Sequence, residues 1–144
     1  YDSSRHWGLV HFASHAHYHQ DRPLESDIQL HDGILKIRQL SQLSLAEHAL
    51  VTLSVCQGGD SAGQRLSEPV SLATGFSASG AETVVANLWP VEDEVARVFF
   101  GEFYKQLGQG DSPMKSFRQA QDKVRAKFPK PEDWAGFFLM GNPT

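Results

Sequence analysis

Leu50-Val51-Thr52-Leu53-Ser54-Val55-Cys56-Gln57-Gly58-Gly59 decides how this chain of 144 residues folds. From Leu50 to Val55 the stretch is β-branched and apolar, without the alternation of a strand that has one wet face. It reads as a strand buried on both faces, the kind found in parallel sheets covered by helices. Gln57-Gly58-Gly59 ends the run, which leaves Cys56 at the strand's carboxyl end.

Two more runs of this kind lie on either side. Trp7-Gly8-Leu9-Val10-His11-Phe12-Ala13 predicts a strand that passes into a polar, histidine-rich loop, so His15 falls just beyond a strand end. Thr83 to Trp89 predicts a third buried strand. Between the first two, Ile28-Gln29-Leu30-His31 and Ile34-Leu35-Lys36-Ile37 surround Asp32-Gly33, a two-residue turn signal that predicts a small hairpin. A short helix over Ile37 to Leu45 would put Leu40 and Leu43 on one face. Ser67 as N-cap and Pro69 in the first turn predict a helix of small residues from about Glu68 to Ser79, ended by Gly80. Pro90 with Glu92-Asp93-Glu94 opens the next helix, where the acidic groups complement the helix dipole, and Val91, Val95, Phe99, Phe103 and Leu107 recur at helical spacing. Ser112-Pro113 starts another, running to about Phe128 with Phe117, Ala120 and Val124 on one side. Trp134 to Met140 reads as a last short strand, broken by Gly141-Asn142-Pro143. Strands alternating with helices define an α/β fold with a mainly parallel sheet between helical layers. Neither an internal repeat nor a low-complexity linker divides residues 1–144, which read as a single domain.

Composition narrows the partners. The 13 basic and 17 acidic residues give a formal charge of -4 with no Lys/Arg cluster, which points away from nucleic acid and anionic membranes and toward a protein or peptide. No apolar run approaches the roughly 20 residues that cross a bilayer, and Tyr1 to His6 lack the order of a secretory signal, so the expectation is a soluble, cytoplasmic chain. The lone cysteine cannot form an internal disulfide; Cys56 is either packing or a thiol with chemistry.

In parallel sheets, reactive groups gather where strands end and helix N-termini converge. His15 and Cys56 are predicted at two such ends, on strands that can be neighbours. An imidazole beside a thiol can generate the thiolate, which is the nucleophile, and later protonate a leaving amine. His11, His15, His17 and His19 alternate along an extended segment and would share a face, which raises zinc as a competitor. No carboxylate or second cysteine stands at a supporting spacing, so no metal and no cofactor is assigned. His17 and His19 then read as solvated loop residues and His11 as a satisfied core residue. Glu92-Asp93-Glu94 has an ordinary reading as a helix start, and Trp89 as a core aromatic.

Several segments together resemble a CHAT domain, a caspase-like cysteine peptidase domain often appended to tetratricopeptide repeats and related to caspases and separases. They are His11-Phe12-Ala13-Ser14-His15-Ala16, similar to H-x-A-T-H-G; Leu53-Ser54-Val55-Cys56-Gln57-Gly58-Gly59, similar to L-S-A-C-x-T-G; and Gly80-Ala81 before the strand ending Asn87-Leu88-Trp89-Pro90-Val91-Glu92-Asp93. Phe103-Tyr104-Lys105-Gln106-Leu107 with Gly110, and Trp134-Ala135-Gly136-Phe137 with Gly141, complete the series.

The resemblance implies a three-layer αβα sandwich with His15 as base and Cys56 as nucleophile of an endopeptidase. Backbone amides of Cys56 and Ala16 would form the oxyanion hole. Asp93, matching an aspartate that separases use for a basic substrate residue, would bind substrate with Gln57 and Trp89. The family sheet has about six strands, and against it this chain looks like the C-terminal part of a longer protein that lacks the first strands, with an exposed sheet edge open to a second copy. Ala16 stands where the family has glycine, Gly58 where threonine is common and Val55 where alanine is common. A Cβ at Ala16 restricts the backbone if φ is positive there. The alternative is therefore an inactive caspase-like module for signalling or assembly.

Overall fold

The computed structural model of the chain describes residues 7–19, 21–43, 45–57 and 67–142, apart from the side chains of residues 7, 23, 55–57, 67 and 68. The Gly58-Gly59 turn lies outside the described residues. Within them the strands are β1 (Trp7–His17), β2 (Asp27–Leu30), β3 (Gly33–Lys36), β4 (Leu45–Gln57), β5 (Thr83–Asn87) and β6 (Phe137–Gly141). The helices are α1 (Ser67–Ala78), α2 (Asp93–Gly108), α3 (Pro113–Lys127) and the short α4 (Pro131–Trp134), with 3-10 turns at Pro23–Glu25 and Ile37–Gln42.

All six strands form one sheet in the order β3-β2-β1-β4-β5-β6. The sheet is mixed rather than mainly parallel. β1, β4 and β5 are parallel, while β1–β2, β2–β3 and β5–β6 are antiparallel. The buried apolar runs identify the three parallel strands, but the short end strands run antiparallel to their neighbours: β2 and β3 form a hairpin, and β6 returns beside β5 after α2, α3 and α4.

Alternation along the strands divides the core into two layers. Val51, Leu53, Val84 and Ala86 face α1, where Leu72, Ala73 and Phe76 meet Leu40 of the 3-10 turn. Leu50, Val85 and Phe137 face α2 and α3, against Val95, Phe99, Phe103, Phe117, Ala120 and Val124. The Phe99 ring stacks on Phe137 at a centroid distance of 3.8 Å and ties α2 to β6. Both faces of the central sheet are thus covered, which gives the predicted three layers. Among the described residues no helix is long and apolar enough to cross a membrane.

Several boundaries differ from the sequence reading. β1 continues through His15 to His17, because Ala16 and His17 pair with Ile28 and Asp27 of β2 on one side and β4 lies along the other. β4 starts at Leu45, ahead of the apolar run, and its register against β1 jumps between Trp7↔Leu45 and Leu9↔Leu50. His48 occupies this irregularity at φ 62°, its Nδ1 2.8 Å from the Glu82 carboxylate. The hairpin turns at His31-Asp32, one residue earlier than expected, since Gly33 already pairs with Leu30. Ile37–Gln42 is 3-10 rather than α-helical, though it buries Leu40 as anticipated. Helix α1 begins at Ser67 itself, and Gly80 beyond it has φ 101°. Ser112 caps α3 by accepting from the Lys115 amide at 3.4 Å. Trp134 belongs to α4, and β6 begins only at Phe137.

Trp89 and Gly136 mark the tightest approach between β5 and the α4–β6 connection. A Cβ on Gly136 would lie 2.6 Å from the Trp89 ring. Gly136→Ala is expected to destabilise the fold by about 1–3 kcal/mol through overpacking. Gly101→Ala, at an exposed position of α2 with nothing within 4 Å of the added Cβ, should stabilise it by about 0.5–1 kcal/mol. Urea unfolding of both variants checks the pair, and an unchanged midpoint for Gly136→Ala would contradict the packing described.

Candidate active site

Parallel pairing carries β1 and β4 together to their carboxyl ends. The register runs from Leu9↔Leu50 through His11↔Thr52 and Ala13↔Ser54 to His15↔Cys56. Backbone alignment therefore puts the predicted base and nucleophile side by side. His15 is exposed, although it lies within the strand rather than beyond it.

His15 lines a cleft of about 320 Å³ built from four elements. β1 supplies Ala13, Ser14 and His15, β4 supplies Ser54, and β5 supplies Asn87; Asp93 and Ala96 come from the start of α2 and Val91 from the segment leading into it. This arrangement follows from strand direction. Three parallel strands end on one edge of the sheet, and the chain leaving β5 turns directly into α2. Asn87 is 5% exposed, and its Nδ2 donates to the Trp89 carbonyl oxygen at 2.6 Å, bracing that turn. Asp93 is the first residue of α2 and is exposed at the cleft. The structure thus brings His15 and Asp93 to one cavity and places the backbone of Cys56 beside His15.

The remaining predicted residues fall as follows. Trp89 is not among the residues that line the cleft: its Nε1 donates to the Glu132 carbonyl at 2.7 Å, and its ring covers Gly136. Its ordinary reading as a packing residue describes it. Gln57 closes β4 in register with Ala16, and its side chain lies outside the described residues. Ala16 is 1% exposed, with Cα partners Gln57 and Ile28 on its two sides. Among the described non-glycine residues, positive φ occurs at His48, so the Cβ of Ala16 meets no left-handed backbone.

The histidines of β1 separate into different roles. His11 keeps an exposed edge, so it is not a core residue, but its Nδ1 is satisfied: it lies 2.7 Å from Thr52 Oγ1 and 2.6 Å from the Tyr104 hydroxyl. Its ring meets Phe100 edge-on at 5.0 Å. Partial burial lowers the His11 pKa below the usual histidine value, and burial raises that of Tyr104, opposed by its hydrogen bond to Thr52. His17 is a strand residue rather than a loop residue, with Nδ1 3.1 Å from the buried Asp27 carboxylate. His19 lies past the strand and is exposed. Among the described residues no three His, Cys, Asp or Glu side chains converge as metal ligands.

Sequence reasoning left out Ser54, Asn87 and Ala96. Two of these had a signal. Ser54 and Asn87 are polar residues in strands otherwise built for burial on both faces, and such positions need a local reason. Ala96 had none, because its place in the cleft depends on the azimuth of α2.

Two curated relatives share part of this chain. Tetratricopeptide repeat protein 28 from Homo sapiens is 33% identical over 75 residues, which is 51% of this chain and 3% of the relative. Its Mus musculus counterpart is 36% identical over the same length, again 51% of this chain and 3% of the relative. The aligned segment is thus a small part of two much longer proteins. The family model of the CHAT domain matches residues 2–142. With a match over nearly its whole length, this chain belongs to the CHAT domain family.

Proposed function

We propose that the chain is a caspase-like cysteine endopeptidase in which His15 and Cys56 act as the catalytic pair. The observation that carries this reading is the register His15↔Cys56, at the end of two parallel strands and beside a cleft that His15 lines. The Cys56 thiolate attacks the scissile carbonyl carbon. As the C–N bond breaks, the imidazolium of His15 gives its proton to the leaving amine, and a thioester remains. Water then attacks the thioester, His15 takes the water proton, and the carboxylic acid and thiol are released. Backbone amides of Cys56 and Ala16 meet the developing oxyanion. Ala16 is buried and flanked by strands on both sides.

Asp93 binds the basic side chain preceding the cleaved bond, an assignment supported by its place in the same cleft as His15. Gln57, next to the nucleophile, contacts the substrate backbone or side chain. The chain acts in the cytoplasm as the C-terminal part of a longer protein and is regulated by attached tetratricopeptide repeats. The names of its two relatives support that association. One observation favours a second reading, an inactive signalling or assembly module: Ala16 lies inside the sheet where the family pattern has glycine.

A peptide carrying an electrophilic warhead after arginine is expected to label Cys56, and His15→Ala should remove the labelling. If the stimulated full-length protein shows neither labelling nor cleavage, the module reading replaces the peptidase. Asp93→Asn should raise KM for an arginine peptide about tenfold and leave a norleucine peptide unchanged, the loss of one partly screened ion pair. An equal effect on both peptides would remove Asp93 from recognition. The outer edge of β3, with Ile34 50% exposed, is the surface proposed for pairing with a second copy. Sedimentation should show dimers that Ile34→Lys abolishes; a monomer at every concentration would reject that pairing.

A further inference from the structure

On the cleft side of the sheet, His11, Thr52 and Tyr104 form a closed triangle of polar contacts. Thr52 Oγ1 and the Tyr104 hydroxyl are 2.5 Å apart, and both lie within 2.7 Å of His11 Nδ1. Thr52 is fully buried in a strand otherwise made of apolar residues. The three groups come from β1, β4 and α2, so one cluster joins three of the four elements that build the cleft wall.

Thr52 and Tyr104 share one proton between their oxygens, and a neutral imidazole meets both at Nδ1, donating there when Nδ1 carries the proton and accepting from one hydroxyl when Nε2 carries it. The lowered pKa of His11 keeps its imidazole neutral at neutral pH, and the raised pKa of Tyr104 keeps its hydroxyl protonated. The rest of the α2 contact is aromatic and aliphatic packing through Val95, Phe99 and Phe103, which is non-directional. Hydrogen bonds to fixed strand residues set the rotation and axial position of the helix more narrowly.

Distances connect this cluster to the cleft. His15 lies four residues beyond His11 on β1, about 13 Å along the strand. Asp93 lies eleven residues before Tyr104 on α2, about 16 Å and three turns away, which returns it to the same side of the helix. The two elements therefore span similar lengths, joined by the triangle at one end and lining the cleft at the other.

We propose that His11, Thr52 and Tyr104 are positioning residues that fix α2 against β1 and β4 and thereby hold Asp93 in the cleft lined by His15. The inference rests on the reading of Asp93 as the cation-binding group. Its test needs no turnover. Cys56, the single thiol, is reacted with cationic 2-aminoethyl methanethiosulfonate and with neutral methyl methanethiosulfonate, each of which transfers its sulfenyl group to the thiolate and releases methanesulfinate. The ratio of the two rates reads the negative charge near the thiol. Asp93→Asn should lower the ratio about fivefold, as expected for one nearby charge in a partly solvated site. Tyr104→Phe and Thr52→Val should lower it toward the Asp93→Asn value, and Thr52→Ser should restore it, with far-UV circular dichroism confirming that each variant is folded. If Asp93→Asn lowers the ratio while Tyr104→Phe and Thr52→Val leave it at the wild-type value, the cluster is structural only and the inference is overturned. If Asp93→Asn itself has no effect, the cation-binding reading fails and the positioning role falls with it. Loss of the ratio in Tyr104→Phe that Thr52→Ser does not share supports the inference.

Discussion

Everything at the candidate site depends on the parallel pairing of β1 with β4. Its register is unbroken from Leu9↔Leu50 to Ala16↔Gln57, so a single alignment sets both the polar triangle at His11↔Thr52 and the pair His15↔Cys56. A shift by one residue would turn every side chain of one strand to the opposite face. That outcome is blocked by what the two faces contain. Phe12, Val51 and Leu53 are committed to the α1 layer, while His11 and Thr52 are committed to Tyr104 on α2. The hydrophobic core thus selects the register, and the register in turn places the chemistry.

The α2 helix is the second requirement. Its apolar stripe packs on Leu50, Val85 and Phe137, and its first turn delivers Asp93 and Ala96 to the cleft, beside Val91 of the segment that leads into it. At its outer side, Glu94 lies between Arg97 and Lys127, and these two hydrogen bonds hold its carboxyl pKa down to about 2. Exposed pairs of this kind add little to stability. They do link the start of α2 to the end of α3, on the face away from the cleft.

The central strands were legible in the sequence because burial on both faces leaves a continuous apolar run, and α2 and α3 because their stripes repeat at helical spacing. The candidate site was legible in part for the same reason: a strand's end can be read, and with it the positions of His15 and Cys56. Three features were hidden. The hairpin strand β2 extends β1 past its apolar stretch, so His15 and His17 are strand residues although nothing apolar marks them. The antiparallel course of β6 depends on how the chain returns after α4, which no local pattern records. Trp89 carried a motif signal that suited both packing and substrate contact, and only the closeness of Gly136 separates the two. The polar residues Thr52, Ser54 and Asn87 were visible as exceptions within apolar strands, but the Thr52 partners, His11 and Tyr104, lie on other elements and could not be named in advance.

The central claim, that His15 and Cys56 act as a pair, predicts an altered thiol. The most direct measurement is the rate of Cys56 alkylation by iodoacetamide as a function of pH, in the wild-type chain and in His15→Ala. A paired imidazole should keep the thiolate populated well below the ordinary thiol pKa of about 8.5, and removal of His15 should return the inflection to that value. Identical profiles for the two proteins, both with an ordinary inflection, would contradict the account.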